Sequence, residues 1–170
     1  DTPVWIAAVQ NQMIALLGQS RTKSDLSDLI REAFRYYRAS LEQLKANQVP
    51  VDQLVINGKV SYALEAYKAS TASVRAARQM QAAGMPIKPG MRIRFIYRVG
   101  EPDVFAWDLG RPINPAEVNK AKYIELLAKA GSAVLAPFGI SEVLFREWSE
   151  TQTLQLKLKP YLEKKGLPSG

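Results

Sequence analysis

With 170 residues, 47% of them hydrophobic, the chain can build one ordinary domain or two small packed lobes, and wholesale disorder is excluded. It contains neither cysteine nor histidine, which removes disulfides, thiolate metal sites and the Ser-His and Cys-His nucleophiles; among enzymes only one built from carboxylates is left. The whole formal net charge of +7 sits in one stretch: Lys59 to Arg98 holds eight cations (Lys59, Lys68, Arg75, Arg78, Lys88, Arg92, Arg94 and Arg98) against the single anion Glu65, and charges cancel over the rest.

In chain order, Thr2-Pro3 supplies a cap residue and the residue best suited to a first helical position. Ile6, Val9, Met13, Leu16 and Leu17 follow at helical spacing, and Gly18 ends the helix. Ser20 to Ser24 reads as a polar connection. A longer helix carries Leu26, Ile30, Ala33, Tyr37, Leu41 and Leu44 on one stripe. Two long helices joined by a short loop are expected to pack antiparallel, with those stripes as core.

Val49-Pro50 breaks the second helix. Leu54-Val55-Ile56 is a short apolar run, and Asn57-Gly58 is a turn signal. Hydroxyls from Ser70 to Ser73 offer caps for a helix over 74–83, with Gly84 at its left-handed end. Pro86 and Pro89-Gly90 mark a turn. The clearest strand covers 91–99, where Met91, Ile93, Phe95 and Tyr97 alternate with Arg92, Arg94, Ile96 and Arg98. Val104 to Trp107 is its expected partner. Asn114-Pro115 opens another helix, with Ala121, Ile124, Leu127, Gly131 and Val134 on one face and Gly139 beyond its end. The tail from Glu142 to Pro160 alternates at Leu154, Leu156 and Leu158 and reads as extended.

The resulting fold class is α+β, dominated by helix: antiparallel helices plus a small mixed lobe with short antiparallel strands. A soft boundary near Met85 separates a helical lobe, 1–85, which includes the start of the basic segment, from a mixed lobe with the tail, 86–170. No internal repeat is visible, and no run of about 18 apolar residues that would span a membrane. The absence of cysteine favours an intracellular setting, cytoplasm or nucleoid. No basic-then-apolar leader opens the chain, and Asp1 reads as the start of a fragment or a processed piece.

The basic segment has the chemistry to hold a polyanion. Lys68 precedes a helix whose start is ringed by Ser70, Thr71 and Ser73, and free N–H groups at a helix N-terminus bind phosphate. Arg75 and Arg78, three apart, share a helix face. With Lys59, Arg92 and Arg94, these are the candidate nucleic-acid contacts. Aromatics do not interleave with them as a single-strand stacking platform requires, so backbone gripping of a duplex is favoured over base reading. The same residue types also allow a bland reading, in which Ser70 or Thr71 only caps a helix and the arginines make surface ion pairs. No P-loop or GxGxxG fingerprint occurs, and the carboxylates are scattered without a two-metal pattern, so no catalytic residue, metal or cofactor is expected. In the tail, Gln155, Leu158, Tyr161 and Leu162 partly fit a sliding-clamp-binding peptide, although Leu162 replaces an aromatic.

Several stretches in order resemble the thumb and C-terminal region of B-family DNA polymerases, most closely archaeal ones. Asp1-Thr2-Pro3-Val4-Trp5 looks like the family's palm-to-thumb junction. Val49-Pro50 through Leu54-Val55-Ile56 resembles V-P-x-x-x-L-V-I. Tyr67-Lys68-Ala69 with Val74 and Ala77 resembles Y-K-A-x-x-x-x-V-x-x-A. Ile87-Lys88-Pro89-Gly90 resembles the I-x-P-G turn, and Tyr123, Leu135 and Phe138-Gly139 resemble the family's late helix. The likeness covers nearly the whole chain. It implies a thumb that wraps the primer–template duplex and packs against the palm and exonuclease part of the same polymerase. Carried over by position, Lys59, Lys68, Ser70, Thr71 and Ser73 would contact the DNA backbone. The family often has Gly-Pro-His where this chain has Thr71-Ala72-Ser73, so a histidine contact is lost and Ser73 replaces it only in part. The family's catalytic aspartates belong to the palm, so this piece is expected to be inactive alone. Two other readings remain open at this point: a stand-alone nucleic-acid-binding accessory module, and a basic protein-interaction domain.

Overall fold

The computed structural model describes residues 2–150 and 154–166. Its helices are α1 (Val4–Leu17), α2 (Lys23–Lys45), α3 (Ala72–Ala82), α4 (Lys120–Leu135), α5 (Glu142–Ser149) and α6 (Leu154–Lys164), and its strands are β1 (Ile56–Val60), β2 (Met91–Tyr97) and β3 (Val104–Ala106). Helix dominates, with one small antiparallel sheet of order β1-β2-β3, as the α+β reading requires. No single helix among the described residues is long and apolar enough to cross a membrane.

The chain divides into two compact units, one of Asp1–Trp5 with Asn47–Tyr123 and one of Ile6–Ala46 with Ile124–Gly170. Met85, the expected boundary, lies inside the first unit. The reason is pairing: β1 lies before Met85 and β2 after it, and their register of Ile56 with Phe95 through Val60 with Met91 ties the two stretches into one sheet.

In the first unit, Asn57-Gly58 is strand rather than turn. The glycine is needed for close approach and not for a reversal. A Cβ on Gly58 would fall 1.9 Å from Ser73 Oγ and 3.3 Å from the Phe95 ring. That contact fixes which face of the sheet α3 covers. Ile56, Val60, Ile93, Phe95, Val104 and Ala106 share this face and are buried, opposite the buried Val74, Ala76, Ala77 and Met80 of α3. Gln79 of α3 adds polar glue at the β3 edge: its Nε2 donates to the Val104 carbonyl (2.8 Å), and its Oε1 accepts from the Ala106 N–H (2.9 Å). α3 ends as expected, with Gly84 at φ 87°. The far end of β2 is held by the Tyr97 N–H, which donates to Tyr123 Oη (3.1 Å), and by the Asn119 N–H, which donates to the Tyr97 carbonyl (3.1 Å).

Asn114-Pro115 opens only a short 3-10 turn, Pro115–Glu117, in which Asn114 and Glu117 cap each other. α4 starts six residues after Asn114, where Asn119 Oδ1 accepts from the Lys122 N–H (3.1 Å). An early cap residue thus serves the turn, and a second asparagine serves the helix.

In the second unit, α2 starts earlier than the polar look of Ser20 to Ser24 suggests. Thr22 caps it, accepting from the Asp25 N–H (3.2 Å), and Asp25 accepts in return from the N–H groups of Thr22 (3.2 Å) and Arg21 (2.8 Å). Ile30, Ala33, Phe34, Tyr37, Leu41 and Leu44 are buried along the helix. Phe34 and Tyr37 meet Phe145 at ring separations of 5.2 and 4.6 Å, and full burial of one such ring contributes about 2–3 kcal/mol. Gly131 makes room for this cluster, since a Cβ there would lie 2.8 Å from Phe145 and 2.9 Å from Tyr37.

The tail, expected to be extended, is helical where it is described, in α5 and α6. Ser141 caps α5 by accepting from the Leu144 N–H (3.2 Å), which buries Phe145 and Trp148. In α6 the decisive spacing is four, not two. Leu158 and Leu162 are both buried, and Tyr161 packs edge-on against Trp148 at 5.0 Å.

Candidate nucleic-acid interface

The sequence-predicted contacts divide between two faces of the first unit. Lys68, Ser70, Thr71, Ser73, Arg75 and Arg78 lie at or along α3. Lys59, Arg92 and Arg94 lie on the opposite face of the sheet. Lys59 is paired with Arg92, and Asn57 with Arg94, in the β1–β2 register, so these side chains alternate away from the residues that α3 covers.

At the start of α3, Thr71 is the N-cap (φ −74°, ψ 165°), and its Oγ1 accepts from the Val74 N–H at 3.3 Å. The Arg75 N–H donates to the Thr71 carbonyl at 2.9 Å. The N–H groups of Ala72 and Ser73 precede any carbonyl that a helix could offer them. The first turn of α3 contains no acidic residue. Lys68 and Ser70 stand exposed just before it, and among the described residues Lys68 makes no ion pair. The mouth of α3 is therefore a positive helix end with two N–H donors, one lysine and no anion of its own.

Two expected contributors are otherwise engaged. The Ser73 hydroxyl is turned against Gly58, leaving its backbone N–H for a ligand. Arg75 points its guanidinium fork at Asp103, with Nε–Oδ1 at 2.9 Å and Nη2–Oδ2 at 2.8 Å, and also donates to the Ser70 carbonyl. It thereby pins the loop before α3 to the β2–β3 hairpin. Arg78, exposed on the next turn, makes no ion pair among the described residues.

On the other face, Arg94 is paired with Asp108, which accepts from its guanidinium and holds its pKa above the ordinary arginine value. Arg92 and Lys59 are exposed. Arg111, absent from the sequence candidates, joins this face by lying over the Phe105 ring at 4.6 Å while pairing with Glu117 at 3.3 Å. Phe105 is opposite Ile96, and both are buried here. The alternation of arginine with apolar residues in β2 was the signal for this face; nothing local announced Arg111, Asp103 or Asp108.

Among the described residues no three acidic side chains converge as metal ligands would. Of the clamp-like tail residues, Leu158 and Leu162 are core, and the half-buried Tyr161 donates its hydroxyl hydrogen to the Gly139 carbonyl. The side chain of Gln155 lies outside the described residues.

The family model for DNA polymerase family B matches residues 3–135. DNA polymerase 1 of Saccharolobus solfataricus is 27% identical over 145 residues, covering 83% of this chain and 16% of that protein. A DNA polymerase of Thermococcus kodakarensis is 29% identical over 143 residues, 81% of this chain and 8% of the relative. Among solved structures, the family B DNA polymerase of Pyrobaculum calidifontis superposes with a TM-score of 0.68 at 21% identity, covering 79% of this chain and 18% of its own. The chain spans less than a fifth of the length of these relatives.

Proposed function

This chain belongs to DNA polymerase family B, and from that membership we propose that it is the thumb of such an enzyme, gripping the primer–template duplex by its phosphate backbone without reading sequence. The observation that carries the reading is the open mouth of α3. A Thr-capped helix start, free of acidic residues and flanked by Lys68 and Ser70, suits a phosphate and carries no base-reading side chains. Arg78, one turn on, offers a second cation for the next phosphate. Arg75 contributes indirectly, by holding the loop that presents Ser70.

On this reading the carboxylates and metal ions that make the new bond belong to another part of the polymerase, which is also this chain's partner, and the work is done inside the cell. The family resemblance and the position of Lys68 at the α3 mouth support it together. A sliding clamp is no part of the reading, because Leu158 would have to leave the core of its unit, and Tyr161 its packing against Trp148, to reach one.

The test is binding of a fluorescent primed duplex to the 170-residue chain across salt. Two or three phosphate contacts lower affinity roughly ten-fold between 50 and 200 mM salt. Affinity that ignores salt, or that depends on duplex sequence, would exclude backbone gripping. Lys68→Ala with Arg78→Ala is expected to weaken binding and leave the unfolding midpoint in place.

A further inference from the structure

The second basic face is not used by the grip at α3. Its cations alternate outward from β1 and β2, with Lys59 across from Arg92 and Arg94 one step along. Two residues of strand rise about 6.7 Å, close to the spacing of successive phosphates in an extended nucleic-acid strand. Beyond β3 this surface opens into a pocket of about 320 Å³ lined by Trp107, Gly110, Arg111, Pro112 and Ile113. That volume lies near the lower end of small-ligand sites, which run from about 300 to 1,000 Å³. The pocket adjoins the arginine face: Asp108, next to Trp107, holds Arg94, and Arg111 covers Phe105.

We propose that this face binds a single nucleic-acid strand, with phosphates on Lys59, Arg92 and Arg94 and one unpaired base in the Trp107 pocket beside Arg111. The inference rests on the reading above only in taking nucleic acid as the ligand. A planar base fits a lining of indole, guanidinium, proline and isoleucine, whereas a base kept in a duplex is not free to enter. Among the described residues, the carboxylates Asp108 and Glu117 on this face are bonded to Arg94 and Arg111. They orient the two guanidinium groups, whose side chains stay about half exposed at 49% and 48%. Each guanidinium has five N–H donors, and one carboxylate occupies at most two, so donors remain for phosphate. An acidic peptide would satisfy the cations but leave the pocket without a stacking partner.

The experiment measures binding of a fluorescein-labelled oligo-dT, the same strand with abasic sites, and a blunt primed duplex to the 170-residue chain. Trp107→Ala is expected to weaken oligo-dT binding by roughly 5- to 150-fold, the span of one lost base stack. Lys59→Glu with Arg92→Glu is expected to weaken it at least as much, and the abasic strand to bind the wild-type chain as poorly as oligo-dT binds Trp107→Ala. Duplex affinity is expected to stay unchanged in Trp107→Ala, which alters no charge. The proposal is overturned if the abasic strand binds as tightly as oligo-dT, if the charge reversal spares oligo-dT, or if poly-glutamate competes as well as oligo-dT does. The abasic comparison uses no variant and so holds even if Trp107→Ala unfolds. Loss of duplex binding with oligo-dT binding intact would sink the grip at α3 and leave this face standing; the converse would do the opposite.

Discussion

α2 and α3 begin alike and part at the third helical position. Each is capped by a threonine whose hydroxyl oxygen accepts from the N–H three positions on, Thr22 from Asp25 and Thr71 from Val74. In α2 that third position is itself acidic, and its carboxylate folds back onto the N–H groups of Thr22 and Arg21. The positive end of α2 is neutralised from within. In α3 the third position is a buried valine, and the end is left to whatever anion arrives from outside. The difference teaches that a cap completes a helix, while the absence of an internal anion is what makes its end receptive.

The largest perturbation of this comparison comes from unseating α3. Gly58→Val would force side-chain atoms into Ser73 and is expected to cost about 2–3 kcal/mol of stability, read by urea unfolding. Adding Ser73→Ala should recover part of that loss if contact with α3 is the cause. Next in size, Ala72→Glu gives α3 the internal anion that it lacks. Duplex affinity is expected to fall by roughly ten-fold or more, while the helix gains about 0.3–1 kcal/mol from its dipole. A variant that is more stable and still binds fully would end the comparison. Thr22→Ala and Thr71→Ala should each cost about 1 kcal/mol, and only the second should also weaken duplex binding. The smallest effect separates the two ends by pH. Hydrogen bonds from the Thr22 side chain and the Arg21 backbone hold the Asp25 carboxyl below its ordinary pKa. Its contribution is therefore complete above the unfolded value of about 3.9 and is lost as pH falls through the lower folded value. Circular dichroism of wild type against Asp25→Asn should converge at low pH, whereas α3, with no first-turn acid, supplies no such transition.

Much of this was legible before any coordinates. The helix expected over 74–83 is α3, Ala72–Ala82, because its cap hydroxyls and Gly84 are local signals. The strand expected from Met91 is β2, because apolar residues alternate there with Arg92 and Arg94, broken only at Ile96. Asn57-Gly58 misled because glycine serves turns and close contacts equally, and only the partner across the gap, Ser73, distinguishes them. In the tail, Leu154, Leu156 and Leu158 suggested a period of two, but the burial of Leu158 with Leu162 follows a period near four. At the interface the cation cluster could be counted, yet its division into two faces depends on where α3 packs. The pairings of Arg75 with Asp103 and Arg94 with Asp108 span 28 and 14 residues, distances over which sequence carries no pairing signal.

Gln79 has a further consequence for the sheet. β3 is an outer strand three residues long, and an outer strand offers its carbonyl and N–H groups to any extended chain that meets it. The Gln79 amide occupies Val104 and Ala106 in the pattern another strand would use. It acts as a hem, closing the fabric with one side chain where another protein would need a whole strand. Gln79→Leu would keep the packing volume and undo the hem, turning the outer strand into a template for self-association.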